Sequence, residues 1–95
     1  MSRKEQVWVI DDDHAIRWVL EKALQRDGMA VTTFHNAVGV LDALRQGAPD
    51  AAIADIRMPG MSGLELLARL RERTPELPVI IMTAHSDLDT AVSSY

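Results

Sequence analysis

The sequence predicts an α/β fold, a parallel sheet with helices packed on both faces. Two observations carry this. Short apolar runs without alternation recur along the chain, at Val7-Trp8-Val9-Ile10, Ala51-Ala52-Ile53-Ala54 and Val79-Ile80-Ile81-Met82. Such runs suit strands covered on both faces, as in parallel sheets. The stretches between them carry apolar residues at helical spacing, so strands and helices alternate along the whole chain. That alternation builds right-handed βαβ crossovers.

Each element has its own local reason. After the first strand, Ile16, Val19, Leu20, Ala23 and Leu24 fall at i, i+3, i+4, i+7 and i+8, the core-facing stripe of an amphipathic helix that Gly28 stops. Val31-Thr32-Thr33-Phe34 is half polar and reads as an edge strand. Ala37, Leu41 and Leu44 mark a weaker second helix, closed by Gly47 and Pro49; its Val38-Gly39-Val40 start has poor helix propensity and needs tertiary support. The third strand, Ala51–Ala54, runs into Asp55, and Met58-Pro59-Gly60-Met61-Ser62-Gly63 is punctuated as a loop. Ser62 and Glu65 form a capping-box pattern for a third helix carrying Leu64, Leu66, Leu67 and Leu70, whose leucines are expected in the core. Pro75 and Pro78 bracket its exit before the fourth strand, which ends at Thr83. Ser86 and Asp89 repeat the cap pattern, and Leu88, Ala91, Val92 and Tyr95 give a fourth helix that holds the last residue.

Composition narrows the function. Ninety-five residues allow one domain, residues 1–95, and a hydrophobic fraction of 47% is too high for a disordered chain. Fourteen acidic against ten basic residues leave a net charge of −4, which argues against a surface for direct nucleic-acid contact. There is no cysteine, so disulfides, thiolate metal sites and thiol catalysis are excluded. The apolar runs are far too short for a membrane span, and no hydrophobic leader follows the polar start; a cytoplasmic domain is expected.

The chemistry gathers at carboxylates. In a doubly wound sheet of flavodoxin-like order 2-1-3-4, strands 1 and 3 are neighbours, and ligands bind beyond their carboxyl ends. Asp11-Asp12-Asp13 leaves strand 1 there and Asp55 leaves strand 3 there. Acids distant in sequence would thus meet, and their repulsion calls for a cation. Mg²⁺ is the natural candidate, and an aspartate beside it can act as a nucleophile toward phosphorus. One member of the triplet is also expected to N-cap the first helix. Thr83 closes the neighbouring fourth strand. Its hydroxyl suits a phosphoryl oxygen on Asp55, and an ordinary β-branched strand terminus is an equal reading from chemistry alone.

Three blocks, Val9-Ile10-Asp11-Asp12-Asp13, Asp55-Ile56-Arg57-Met58-Pro59-Gly60-Met61-Ser62-Gly63 and Val79-Ile80-Ile81-Met82-Thr83-Ala84, together resemble the receiver domains of two-component response regulators. The segments Trp8–Leu24 and Leu77–Tyr95 look closer still to receivers of the nitrogen-regulation, sigma-54 enhancer-binding (NtrC) type. The resemblance implies a CheY-like fold and a phosphorylation-dependent switch rather than an enzyme. It implies that Asp55 is the phosphoacceptor for a sensor histidine kinase. Asp11 and Asp12 would hold Mg²⁺ with Asp55 and the backbone carbonyl of Arg57, Asp13 would serve as a cap, and Thr83 would be the switch hydroxyl. In the full-length protein it implies an attached ATPase module acting with a sigma-54 polymerase and a separate DNA-binding domain.

One departure stands out. The family pattern has a fifth strand ending in a lysine, then a fifth helix, whereas here no lysine follows Lys22 and Tyr95 falls within the fourth helix. The chain therefore reads as a receiver truncated within that helix. The fourth strand, apolar on both faces, would be left partly bare, and a homodimer or swapped oligomer is expected to cover it.

Other readings are weaker. Asp11-Asp12-Asp13 fits the D-x-D of haloacid-dehalogenase phosphatases, which also form an aspartyl phosphate with Mg²⁺, but Ala15 stands where Thr or Val is usual and such enzymes need a longer chain. An interaction module that keeps the fold without phosphorylation would not need Asp11, Asp12, Asp55 and Thr83 together. His14, His35 and His85 share no ligand spacing, and no GxGxxG, Walker A or GxSxG motif occurs. Arg69, Arg71 and Arg73 read as a solvated helix end.

Overall fold

Alternating apolar runs and amphipathic stretches give β1 (Gln6–Ile10), α1 (His14–Arg26), β2 (Ala30–Phe34), α2 (Ala37–Leu44), β3 (Ala51–Asp55), α3 (Gly63–Arg73) and β4 (Val79–Met82). The computed structural model describes residues 4–57 and 60–82; the expected fourth helix, Thr83 and His85 lie outside the described residues. All strands are parallel, in the order β2-β1-β3-β4 that the sequence predicts. β2 is an edge strand, with Thr32 exposed, as its half-polar composition requires.

Strand register sorts the side chains onto two faces. Trp8, Ile10, Phe34, Ala52, Ala54, Val79 and Ile81 share one face by their pairings. Against them pack Ala37, Val40 and Leu44 of α2 and Leu66 and Leu70 of α3, forming the main core. Ala52 and Ala54, at the centre of this face, are wholly buried within that core. Trp8 and Phe34 meet edge to face, ring centroids 5.2 Å apart.

The leucines of α3 do not all enter the core. Leu66 and Leu70 are wholly buried, but Leu64 is 55% exposed. Two residues correspond to about 200° of helix rotation, so Leu64 lies opposite Leu66. The weak start of α2 is supported as expected. Asn36 Oδ1 accepts from the Gly39 N–H at 3.1 Å, and Val40 is wholly buried.

The opposite face departs more from expectation. Val7 and Val9 are buried beneath α1, which contacts β1 and β2. Yet α1 has no buried residue. Of the stripe expected to face the core, Leu20 and Leu24 are half-buried, Ala23 is exposed, and Ile16 and Val19 are 41% and 55% exposed. The reason is positional. α1 covers only the β1–β2 half of this face, and no described element lies over the β3–β4 half, where Ile80 is also 59% exposed. The helical period was read correctly; what the outer part of the stripe packs against was not.

Candidate functional site

Because β1 and β3 pair directly, with Ile10 opposite Ala54, the next residue of each strand path is an aspartate at the same end of the sheet. Asp11 follows β1 and Asp55 is the last residue of β3. Asp11, Asp12 and Asp55 each offer a carboxylate oxygen within 4.8 Å of the others'. The cluster is graded in burial: Asp11 is 4% exposed, Asp55 half-buried and Asp12 exposed. These are three of the sequence-predicted site residues, and they converge.

Asp11 is held by its main chain and its side chain. Its N–H donates to the Phe34 carbonyl at 3.0 Å, and its Oδ1 accepts from the Asp13 N–H at 2.8 Å. Burial pushes its carboxyl above the ordinary aspartate range. The Asp13 N–H partly offsets that rise, and the charges of Asp55 and Asp12 add to it. Asp13 itself is the N-cap of α1, its Oδ1 accepting from Ala15 N at 2.8 Å and Ile16 N at 3.4 Å. The third acid of the triplet therefore starts the helix, as expected for one member, and stands outside the cluster.

Asp55 is placed by backbone on both sides. Ile56 N donates to Met82 O at 2.9 Å, and Gly63 N donates to Ile56 O at 3.0 Å. Gly63 is needed there, since a Cβ would collide with the Asp55 carbonyl oxygen and stand 2.8 Å from the Ile56 Cα. Asp55 Oδ1 accepts from the Arg57 N–H at 3.1 Å, which turns the chain after the strand so that Arg57 follows immediately beside the carboxylate. Ser62 caps α3, its Oγ accepting from Glu65 N at 3.2 Å. A cavity of about 460 Å³, lined by Ala48, Pro49, Asp50 and Thr74–Pro78, opens among the segments that lead into β3 and β4, at the end of the sheet away from the acids.

An oxygen-only donor set with no histidine suits a hard divalent cation of the Mg²⁺ kind. Against this geometry, the sequence matches the family of response regulator receiver domains over residues 7–95. The chain belongs to that family. It is 62% identical over 89 residues to the DNA-binding transcriptional regulator NtrC of Escherichia coli, covering 94% of this chain and 19% of that protein. It is 40% identical over 94 residues to the transcriptional regulatory protein FixJ of Bradyrhizobium diazoefficiens, covering 99% of this chain and 46% of that one.

Among solved receivers, the apo receiver domain of nitrogen regulatory protein C superimposes with a TM-score of 0.80 at 58% identity, covering 99% of this chain and 76% of that one. The response regulator TrrA of Thermotoga maritima, solved with Mg²⁺ and beryllofluoride, gives 0.81 at 34% identity over 95% of this chain and 78% of that one. The chain thus spans about a fifth of the NtrC regulators it resembles. The four-stranded order, and the receiver class, agree with what the sequence predicts.

The parts that two residues play around the acids are not legible in the sequence. Gly63 belongs to the loop and to the receiver block, but its close approach to the Asp55 backbone is visible only in the fold. Arg17 was not singled out at all, although its Nη1 donates to the Asp11 carbonyl at 2.6 Å. Only the placement of Arg17 six positions after Asp11, one turn into a helix, could have signalled that contact.

Proposed function

We propose that this receiver accepts a phosphoryl group on Asp55 from a sensor histidine kinase, with Mg²⁺ as cofactor, and acts as a phosphorylation-dependent switch. The observation that carries this is the convergence of Asp11, Asp12 and Asp55 from two adjacent strand ends within 4.8 Å. Asp11, Asp12 and Asp55, with the main-chain carbonyl of Arg57, would hold the ion. When bound, Mg²⁺ supplies charge neutralisation for the phosphoryl oxygens and the carboxylates.

The remaining work falls to the chain. Oδ1 of Asp55 accepts the Arg57 N–H, and the carboxylate is the nucleophile toward phosphorus. A new O–P bond forms as the P–N bond to the kinase histidine breaks, and the imidazole leaves with the electron pair. Thr83 is assigned the switch hydroxyl that senses the phosphoryl group, on the family pattern. The domain is modified once per cycle instead of turning over a substrate. It is cytoplasmic, and in the full-length regulator it controls attached ATPase and DNA-binding domains in sigma-54-dependent transcription, with nitrogen regulation supported by the NtrC relatives.

The test is labelling by a small phosphodonor, or beryllofluoride binding, with and without Mg²⁺, on the wild type and on Asp55→Asn. The expected result is Mg²⁺-dependent modification of one site, abolished by the substitution. Undiminished labelling of Asp55→Asn would remove that residue from its role. Sustained phosphate release over many turnovers would instead mark a phosphatase.

A further inference from the structure

Arg17 lies one turn into α1, and its side chain turns back toward the strand it follows. Its backbone N–H donates to the Asp13 carbonyl at 3.1 Å, the first bond of the helix. Its Nη1 donates to the Asp11 carbonyl at 2.6 Å, six residues earlier. A ring is thereby closed from the end of β1, through Asp12 and Asp13, into the first turn of α1 and back to Asp11.

That closure is needed because packing does not supply it. α1 has no buried residue, and Ile16, adjacent to Arg17, is 41% exposed. The turn inside the ring carries three consecutive carboxylates, two of them facing Asp55, and their mutual repulsion favours spreading of the turn. A guanidinium on the main-chain carbonyl opposes the spreading with a charge-assisted bond. Since its partner is the peptide oxygen of Asp11, the bond leaves the clustered carboxylate oxygens available to a ligand.

We propose that Arg17 is a positioning residue for the cation site, holding Asp11 and Asp12 assembled opposite Asp55 before the ion arrives. The inference rests on the Mg²⁺ reading of the acid cluster. Outer partners that orient ligands in this way typically contribute ~10-fold or more to metal affinity.

The experiment compares the full chain with Arg17→Gln and Arg17→Lys by Mg²⁺ titration, followed through tryptophan fluorescence, and by hydrogen–deuterium exchange without metal. In Arg17→Gln the Mg²⁺ dissociation constant should rise about 10-fold. Exchange in residues 11–17 should accelerate while that of α3 stays unchanged, which separates a loosened turn from a loosened fold. Arg17→Lys, which keeps the charge and one donor, should fall between Gln and wild type. An Arg17→Gln affinity equal to or tighter than wild type would overturn the proposal. If the wild type does not respond to Mg²⁺, the reading of the acid cluster fails, and exchange alone then decides on Arg17: faster exchange in residues 11–17 sustains its hold on the turn, and unchanged exchange removes it.

Discussion

The face of the sheet that carries α2 and α3 is closely packed, and the face that carries α1 is not. On the first, Val40, Leu66 and Leu70 are wholly buried in one core with Ala52 and Ala54 of β3, and Gly63 brings the start of α3 onto the backbone of Asp55 and Ile56. On the second, α1 lies over Val7 and Val9 with its own apolar residues half-buried or exposed, and Asp13 and Arg17 tie its start to Asp11, the residue after β1, through hydrogen bonds. The acids share one end of the sheet but have different supports. Asp55 is set by the backbone bonds that join β3 to β4 and to the start of α3, whereas the turn carrying Asp11 is set by bonds to Phe34, Asp13 and Arg17.

The largest expected effect sharpens this contrast directly. Leu66→Ala or Leu70→Ala removes a wholly buried side chain and should cost about 2–5 kcal/mol in urea unfolding. Val19→Ala, at a half-exposed site of α1, should cost less than about 1 kcal/mol. Equal losses at the two sites would erase the distinction between the faces. Next in size is Gly63→Ala, whose methyl group has no room against the Asp55 and Ile56 backbone. It should destabilise by about 1–3 kcal/mol and, by moving Asp55, lower both Mg²⁺ affinity and the rate of phosphoryl acceptance. Asp13→Ala removes the cap of α1 and should cost about 1 kcal/mol. Mg²⁺ affinity should fall while the Gly63–Asp55 contact is left in place.

How much of this could be read from the sequence follows the same division. Strand order, the three described helices and the meeting of Asp11, Asp12 and Asp55 were legible, because unalternated apolar runs specify parallel strands and a parallel sheet aligns their carboxyl ends. The burial of α1 was not. Periodicity shows which side chains of Ile16, Val19, Leu20, Ala23 and Leu24 share a face, but not whether anything covers the whole of that face. Leu64 misled for a related reason, since a leucine-rich helix hides which leucine points outward until Leu66 and Leu70 are placed. The close approach at Gly63 and the reach of Arg17 are three-dimensional facts that residue type does not announce.

The smallest expected effect concerns pH, and it centres on Asp11. Burial raises the Asp11 carboxyl in the folded protein, with Asp55 and Asp12 adding to the rise. A carboxyl raised on folding binds its proton more tightly when folded than when unfolded. Its contribution to stability is therefore present at low pH and is lost as pH climbs from the ordinary aspartate value of 3.8 through the raised one. The sign is opposite to that of a salt-bridged aspartate. Without metal, the wild type should lose stability across that window relative to Asp11→Asn, which keeps the shape and cannot ionise. With saturating Mg²⁺ the charge is compensated, so the wild type should recover while Asp11→Asn gains little. Urea unfolding of both proteins across the window, with and without Mg²⁺, measures the difference. Parallel pH profiles for the two proteins in the absence of metal would show that Asp11 carries no such penalty.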